Sequence, residues 1–190
     1  MIRKSGQMYT YNDYLSWDDG KRSELIHGIF YNMTPAPSRK HQEIVGELFA
    51  EFRNYLRDKE CRAYVAPFDV RLPIGDEQDE DIHNVVQPDI VVVCDKSKLD
   101  DKGCKGSPDL IVEVLSPTTA KKDRNEKRKL YEQVGVKEYW IVDPLHETIE
   151  ILTSVHGKYG HAEIYSKEDQ VKVSLFEDLS IDLQTVFKEV

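Results

Sequence analysis

No stretch of the chain approaches the about 18 consecutive apolar residues that a membrane-spanning helix requires, so such a helix is not expected. The N-terminal MIRKSGQMYTYNDY carries two early basic residues with no apolar segment behind them. That is not the pattern of a secretory leader, and the expectation is a cytoplasmic protein. Cysteine is scarce: Cys61, Cys94 and Cys104 form no CxxC pair, which argues against a disulfide framework and a thiolate zinc site, and all three read as reduced thiols. The six histidines are scattered, without an HxxxH pair to hold zinc on a helix face. Positive charge is in deficit, at a net of -9, which speaks against gripping nucleic acid by bulk charge yet leaves room for a local basic face. Repeats and low-complexity tracts are missing too, and 190 residues suit a single domain, 1–190, with a sizeable core.

What is present is a series of short apolar segments. Residues 10–18 suit a short helix, and SELIHGIFYNM, residues 23–33, suits an N-terminal hairpin turning at His27-Gly28. Ser38 is a candidate N-cap for a helix running to about Arg57, with an apolar stripe at Ile44, Val45, Leu48, Phe49, Phe52 and Leu56. His41 extends that stripe inward, whereas Glu43 falls on the opposite face at about 100° per residue. Four apolar strands follow: AYVAPFDVRLP (63–73), VVQPDIVVVCD (85–95), LIVEVL (110–115) and EYWIVDP (138–144). Their near-continuous hydrophobicity implies a sheet covered on both faces. The acidic run GDEQDED, residues 75–81, reads as a solvated loop between the first two. A helix between the last two suits a crossover joining parallel strands. TIEILTSVHGKYGHAEIYS then reads as a hairpin turning at residues 156–158, and VKVSLFEDLSIDL as a short strand and tail. The expected fold is α/β: a mixed central β-sheet flanked by helices, with N-terminal and C-terminal β-hairpin additions.

Glu113 stands between Val112 and Val114, where an ionised carboxylate is costly unless a metal, a lysine or a proton compensates it. Pro88-Asp89 and Pro108-Asp109 each open an apolar strand. Neighbouring strands can bring Asp89 and Glu113 to one hard divalent cation such as Mg²⁺ or Mn²⁺, whose bound water serves as nucleophile. Asp109, four residues before Glu113 on the same strand face, is the alternative acidic ligand. A lysine two positions after the Glu would steady developing phosphate charge, but that position is Leu115. Helical phase offers a substitute. With Tyr131 and Val134 inward, Leu130, Lys127, Asp123 and Ala120 share their stripe, so Lys127 points at the core. Lys121, Lys122, Arg128 and Lys129 fall on the solvated outer face, with Arg124 at its border. Two partners stay open for Lys127: Glu113 in the preceding strand, or Asp123 four residues earlier on its own helix.

The succession ELIHG, MTPAPSRKH, QPDIVVV and PDLIVEVLSPTTAKKDRNEKRKLYEQVGVKEYWIVDP resembles the Uma-type restriction endonuclease family of the PD-(D/E)XK nuclease superfamily. The resemblance covers roughly residues 10–188 and is strongest from Val86 to Pro144. It implies a restriction-endonuclease-like, three-layer fold with its nuclease core at about residues 38–144. It also implies an Mg²⁺- or Mn²⁺-dependent endonuclease acting on DNA, often as a homodimer. Residue by residue, it implies Asp89 and Glu113 as metal ligands and Lys127, in D-x-x-x-K-x-x-x-Y, as the catalytic lysine moved from strand to helix. His41 is implied to bound the site, and Leu115 is a departure that the family shares. A second reading stands beside it: a catalytically inactive nuclease-fold protein that binds nucleic acid or protein as a regulatory module, with Glu113 and Lys127 as a buried ion pair. The net charge and Leu115 favour that reading; the common inward aim of His41, Glu113 and Lys127 favours catalysis. A glycosidase-like carboxylate pair finds no aromatic sugar platform in the sequence.

Overall fold

The apolar runs form two packed sheets in the computed structural model, which describes residues 7–17, 20, 22–33 and 36–188. Residues 1–6 of the N-terminal stretch, position 18 of the expected first helix, and Thr34 and Pro35 of the proline-rich turn lie outside the described residues. In chain order the strands are β1 (Ser23–Ile26), β2 (Ile29–Asn32), β3 (Arg62–Val65), β4 (Val70–Arg71), β5 (Val85–Val86), β6 (Ile90–Val93), β7 (Leu99–Asp100) and β8 (Gly103–Lys105). They continue as β9 (Leu110–Val114), β10 (Glu138–Asp143), β11 (Thr148–Val155), β12 (Lys158–Tyr159), β13 (Glu163–Ser166), β14 (Gln170–Lys172) and β15 (Ser180–Asp182). The central sheet has the order β12-β11-β10-β9-β6-β3, with β13 also on β11, and the second sheet β2-β1-β5-β4-β8-β7. Within the central sheet β9 and β10 are parallel and β6–β9 antiparallel, so the sheet is mixed as expected. Helix α1 (Tyr11–Leu15) precedes β1, and α2 (Arg39–Tyr55) joins β2 to β3. A crossover helix, residues 120–134, connects β9 to β10.

Alternation along β9 sets the layers. Leu110, Val112 and Val114 pack with Ile44, Val45, Leu48 and Phe52 of α2. Ile111 and Leu115 point the other way, against Leu130 and Tyr131 of the crossover helix and Ile26, Val70 and Val86 of the second sheet. Glu113 belongs by strand parity to this second face.

Three expectations need correction. The runs 63–73 and 85–95 are not single strands; each changes sheet midway, from β3 to β4 and from β5 to β6. The breaks fall at Ala66-Pro67 and Gln87-Pro88, where proline lacks the N–H that a ladder needs. β4, β5 and β6 are buried throughout and β3 only in part, yet both runs read as apolar in sequence, so unbroken apolarity concealed the change of sheet. The acidic loop is solvated as expected, with Asp79 held 2.6 Å from the fully buried Arg71, which also holds Asp100 of β7 at 2.6 Å. Cys61 and Cys94 form a disulfide, leaving Cys104 as a buried free thiol. Arg62 lies opposite Val93 in the β3–β6 pair, so the next pair outward is Cys61 and Cys94. Sheet register makes that bond across 33 residues, and chain spacing carries no trace of it. Finally, the expected short strand and tail at the C-terminus is a β14–β15 hairpin followed by a short helix, Leu183–Val186.

Two measurements check this fold. Protein purified without reductant and then denatured is expected to show one reactive thiol in place of the three in the sequence, rising to three after reduction. At Gly103, with φ at +126°, an added Cβ would lie 2.1 Å from the Asp69 carbonyl oxygen. Gly103→Ala is therefore expected to cost about 2 kcal/mol or more, read as a lower urea midpoint.

Candidate active site

The β6–β9 register builds the first half of the site. Ile90 pairs with Val112 and Val91 with Ile111, so Asp89, the residue just before β6, comes level with Glu113 where the ladder ends. Asp89 Oδ2 accepts the Val114 N–H at 2.8 Å and lies 3.3 Å from His41 Nε2. His41 sits in the first turn of α2, where the Ser38 hydroxyl accepts its backbone N–H at 3.2 Å. Burial of Ile44, Val45, Leu48 and Phe52 fixes the face on which the imidazole emerges.

The crossover helix supplies the second half. It starts from a Ser116–Thr119 turn, in which Ser116 N–H donates to Thr119 Oγ1 at 3.2 Å. It ends at Gly135, whose φ of +84° lets Val136 N–H return to the Tyr131 carbonyl at 2.9 Å. Its middle turn, Asp123–Lys127, is π-helical. A π turn bonds at five residues instead of four, and here it brings Lys122 and Lys127 to the same side. Both reach Glu24 on β1: Lys127 Nζ is 2.7 Å from Oε1 and Lys122 Nζ 2.6 Å from Oε2. Lys122, expected on the solvated face, thus points inward, because the regular helical period does not apply across the π turn.

Lys127 Nζ also lies 2.7 Å from Glu113 Oε1 and 3.7 Å from Asp123 Oδ1, so the two partners left open by the sequence occur together, with Glu113 the nearer. Tyr131, one turn further on, donates its hydroxyl to Glu113 Oε1 at 2.8 Å. The structure thus brings together His41, Asp89, Glu113 and Lys127. Asp109 is engaged elsewhere, accepting the Cys94 N–H and the Lys137 ammonium, each at 2.7 Å. Arg124 turns outward to Glu150 at 2.7 Å. No role at the site was expected from sequence for Glu24, Lys122 or Tyr131. Glu113 was marked by Val112 and Val114 on either side, whereas Glu24 follows Ser23, and only the fold shows that both strands are buried at every position.

Charge at the site does not balance. Four carboxylates (Glu24, Asp89, Glu113 and Asp123) meet two lysines and one histidine. Burial opposes ionisation of Glu24, but Lys127 and Lys122 outweigh it and hold Glu24 below the ordinary carboxylate range. Burial raises Glu113 instead; Lys127 relieves this only in part, and the charges of Asp123, Asp89 and Glu24 add to it. Asp123 is raised by burial with Lys127 again offsetting, and its Oδ1 is buried without a hydrogen-bond partner. For Lys127 burial opposes the charge, yet Glu113, Glu24 and Asp123 raise it well above the usual lysine value. Burial likewise works against a charged His41, and the hydrogen bond and charge of Asp89 overcome it, raising the imidazole. Lys127 is therefore a cation with Glu24 as its ionised partner, and Glu113 is the carboxyl short of a counter-charge.

A proton or a divalent cation would supply that charge. The hydrogen bonds and ion pairs among the described residues fall on Asp89 Oδ2 and Glu113 Oε1, so Oδ1 and Oε2 remain to accept an ion. Among the described residues no group of three or more His, Cys, Asp and Glu converges as a metal cluster. The donors fit an ion such as Mg²⁺, which takes one or two carboxylates and keeps its waters, rather than one needing a closed protein cage.

In the absence of metal, this arrangement carries a pH signature. Unfolded Glu113 ionises around 4.5, whereas the folded carboxyl holds its proton to higher pH. Its contribution to stability is full below the unfolded value and is lost as pH rises towards the folded one. Glu113→Gln keeps the neutral form and is expected to gain melting temperature relative to the parent as pH rises from about 5 to about 8 in EDTA. A difference that stays constant over that range would contradict the charge deficit.

The Uma2 family, described as "Putative restriction endonuclease", matches residues 11–184. An uncharacterized protein of Synechocystis sp. (strain ATCC 27184 / PCC 6803 / Kazusa), slr1290, is 32% identical over 121 residues, covering 63% of this chain and 60% of its own length. A second from that organism, sll1609, is 25% identical over 155 residues, covering 79% of this chain and 83% of its own. The chain thus matches about three fifths of the first relative's length. A crystal structure described as "a putative nuclease belonging to DUF820" from Anabaena variabilis ATCC 29413 superposes with a TM-score of 0.74, over 94% of this chain and 97% of that one. At 19% identity that likeness shows a shared fold. The family match takes in every element of the site, from Glu24 on β1 to Tyr131 on the crossover helix, and the chain belongs to the Uma2 family.

Proposed function

We propose that the chain is a metal-dependent endonuclease that hydrolyses DNA phosphodiester bonds with Mg²⁺ or Mn²⁺. The observation that carries this reading is that Asp89, immediately before β6, accepts the N–H of Val114, the neighbour of Glu113 on β9, at 2.8 Å, with the Lys127 ammonium 2.7 Å from Glu113. Asp89 and Glu113 would hold the ion, which when bound lowers the pKa of its water and neutralises phosphate charge. Lys127 adds a fixed positive charge where negative charge develops at phosphorus, in a pocket with little water to screen it. The Tyr131 hydroxyl orients Glu113, and His41 holds Asp89 through Oδ2. Leu115, at the strand position where the superfamily places its lysine, is core, and the helix supplies the cation instead. A homodimer would present two such sites to the two strands of a duplex. Cytoplasmic residence, which would expose the Cys61–Cys94 pair to reducing thiol buffers, belongs to the same reading. No described helix is long and apolar enough to cross a membrane.

A second reading, an inactive nuclease-fold module that binds nucleic acid or protein, is favoured by the near-complete burial of Lys127 between Glu24 and Glu113. Such a pair can persist without catalysis. Incubation with supercoiled plasmid and with single-stranded DNA in Mg²⁺ or Mn²⁺ separates the two. The wild type is expected to cleave, and Glu113→Ala and Lys127→Ala to fall about 100-fold or more in rate. Identical behaviour of all three proteins would exclude the nuclease reading.

A further inference from the structure

Solvent reaches the members of the site unequally. The Asp89 side chain is 20% exposed and that of Lys122 13%, while Lys127 at 2% and Glu24 at 0% are sealed. The two lysines also differ in what their departure would leave behind. Withdrawing Lys127 strips the cation from Glu24, Glu113 and Asp123 together, and uncompensated buried charge is strongly destabilising. Among the described residues, Lys122 is within ion-pair distance of Glu24 alone. If it leaves, Glu24 keeps Lys127 at 2.7 Å and the Gln87 N–H at 3.2 Å. The Lys122 ammonium also lies 5.2 Å from the centroid of the half-buried Tyr31 ring, which offers it cation–π support at the rim. A flexible stem with three rotatable donors can change partner there without moving the helix.

We propose that Lys122 is the substrate-contacting cation of the site: it exchanges Glu24 for a non-bridging phosphate oxygen of a bound DNA strand, while Lys127 stays with Glu24 and Glu113. This assignment rests on the nuclease reading above. Glu24 then has two functions, anchoring Lys127 permanently and holding Lys122 in reserve until a phosphate displaces the carboxylate.

Counterion release reads the exchange directly, because each phosphate that a lysine neutralises in duplex binding adds about 0.9 to the steepness of log K against log salt. Binding of a fluorescein-labelled DNA duplex is measured by anisotropy across salt concentrations, with Ca²⁺ replacing Mg²⁺, and cleavage of the same duplex is measured in Mg²⁺. Lys122→Gln is expected to reduce the slope by about 0.9 and to raise KM. Lys122→Arg should restore the slope, and Lys127→Gln should keep the slope while lowering kcat. An unchanged slope in Lys122→Gln overturns the proposal. So does an equal reduction in Lys122→Arg, which would report damage to the Glu24 pocket. Wild-type protein that neither binds nor cleaves DNA overturns the nuclease reading itself, and the Lys122 assignment with it.

Discussion

The ammonium of Lys127 has Glu24 and Glu113 each at 2.7 Å, Asp123 at 3.7 Å and almost no solvent. Each of these groups would be costly to bury alone, and breaking such a buried arrangement typically costs about 3–5 kcal/mol. Three parts of the fold must therefore meet correctly for any of them to be tolerated: β1 of the second sheet brings Glu24, β9 of the central sheet brings Glu113, and the crossover helix brings Lys127, Asp123 and Tyr131. The second sheet is thus part of the site and not an ornament on a nuclease core. Its hairpin supplies the carboxylate that keeps Lys127 charged while Glu113 remains short of a partner.

That shortage connects packing to chemistry. A buried carboxyl raised above its ordinary range is a group waiting for a proton or a metal. Asp89 stands near it with solvent access, its Oδ2 already positioned by the Val114 N–H and His41. The π turn is the local irregularity that makes the arrangement possible, since it sets two lysines five residues apart on one carboxylate. Such turns inside α-helices recur at functional sites because they re-aim side chains that a regular helix would send to solvent.

Glu113 was legible in the sequence because it interrupts an apolar strand, Lys127 and His41 because helical phase puts them on apolar stripes, and Asp89 because it opens an apolar strand after Pro88. The α/β class and the mixed sheet followed from apolar strands flanking a helix of crossover length. What could not be read depends on partners far away in the chain. Glu24 is buried because the second sheet, to which β1 belongs, meets the crossover helix at Lys122 and Lys127, and that sheet forms partly from runs whose change of direction at Pro67 and Pro88 leaves no mark on hydrophobicity. Lys122 is aimed by a π turn that a 3.6-residue period cannot represent. Tyr131 was placed on the inner face, but its hydroxyl bond to Glu113 depends on the distance between strand and helix. Cys61 and Cys94 meet through β3–β6 register, which their separation does not encode.

The central claim is that Asp89 and Glu113 share a divalent cation that completes the charge of the pocket. Anomalous diffraction from crystals soaked in Mn²⁺ tests it most directly. The account predicts a difference peak in contact with both carboxylates, absent from Glu113→Gln crystals treated in the same way, with Lys127 still paired to Glu24. Wild-type crystals with no peak between the two carboxylates, and with the Glu113–Lys127 contact unaltered, would contradict it and leave a buried ion pair in a nuclease fold.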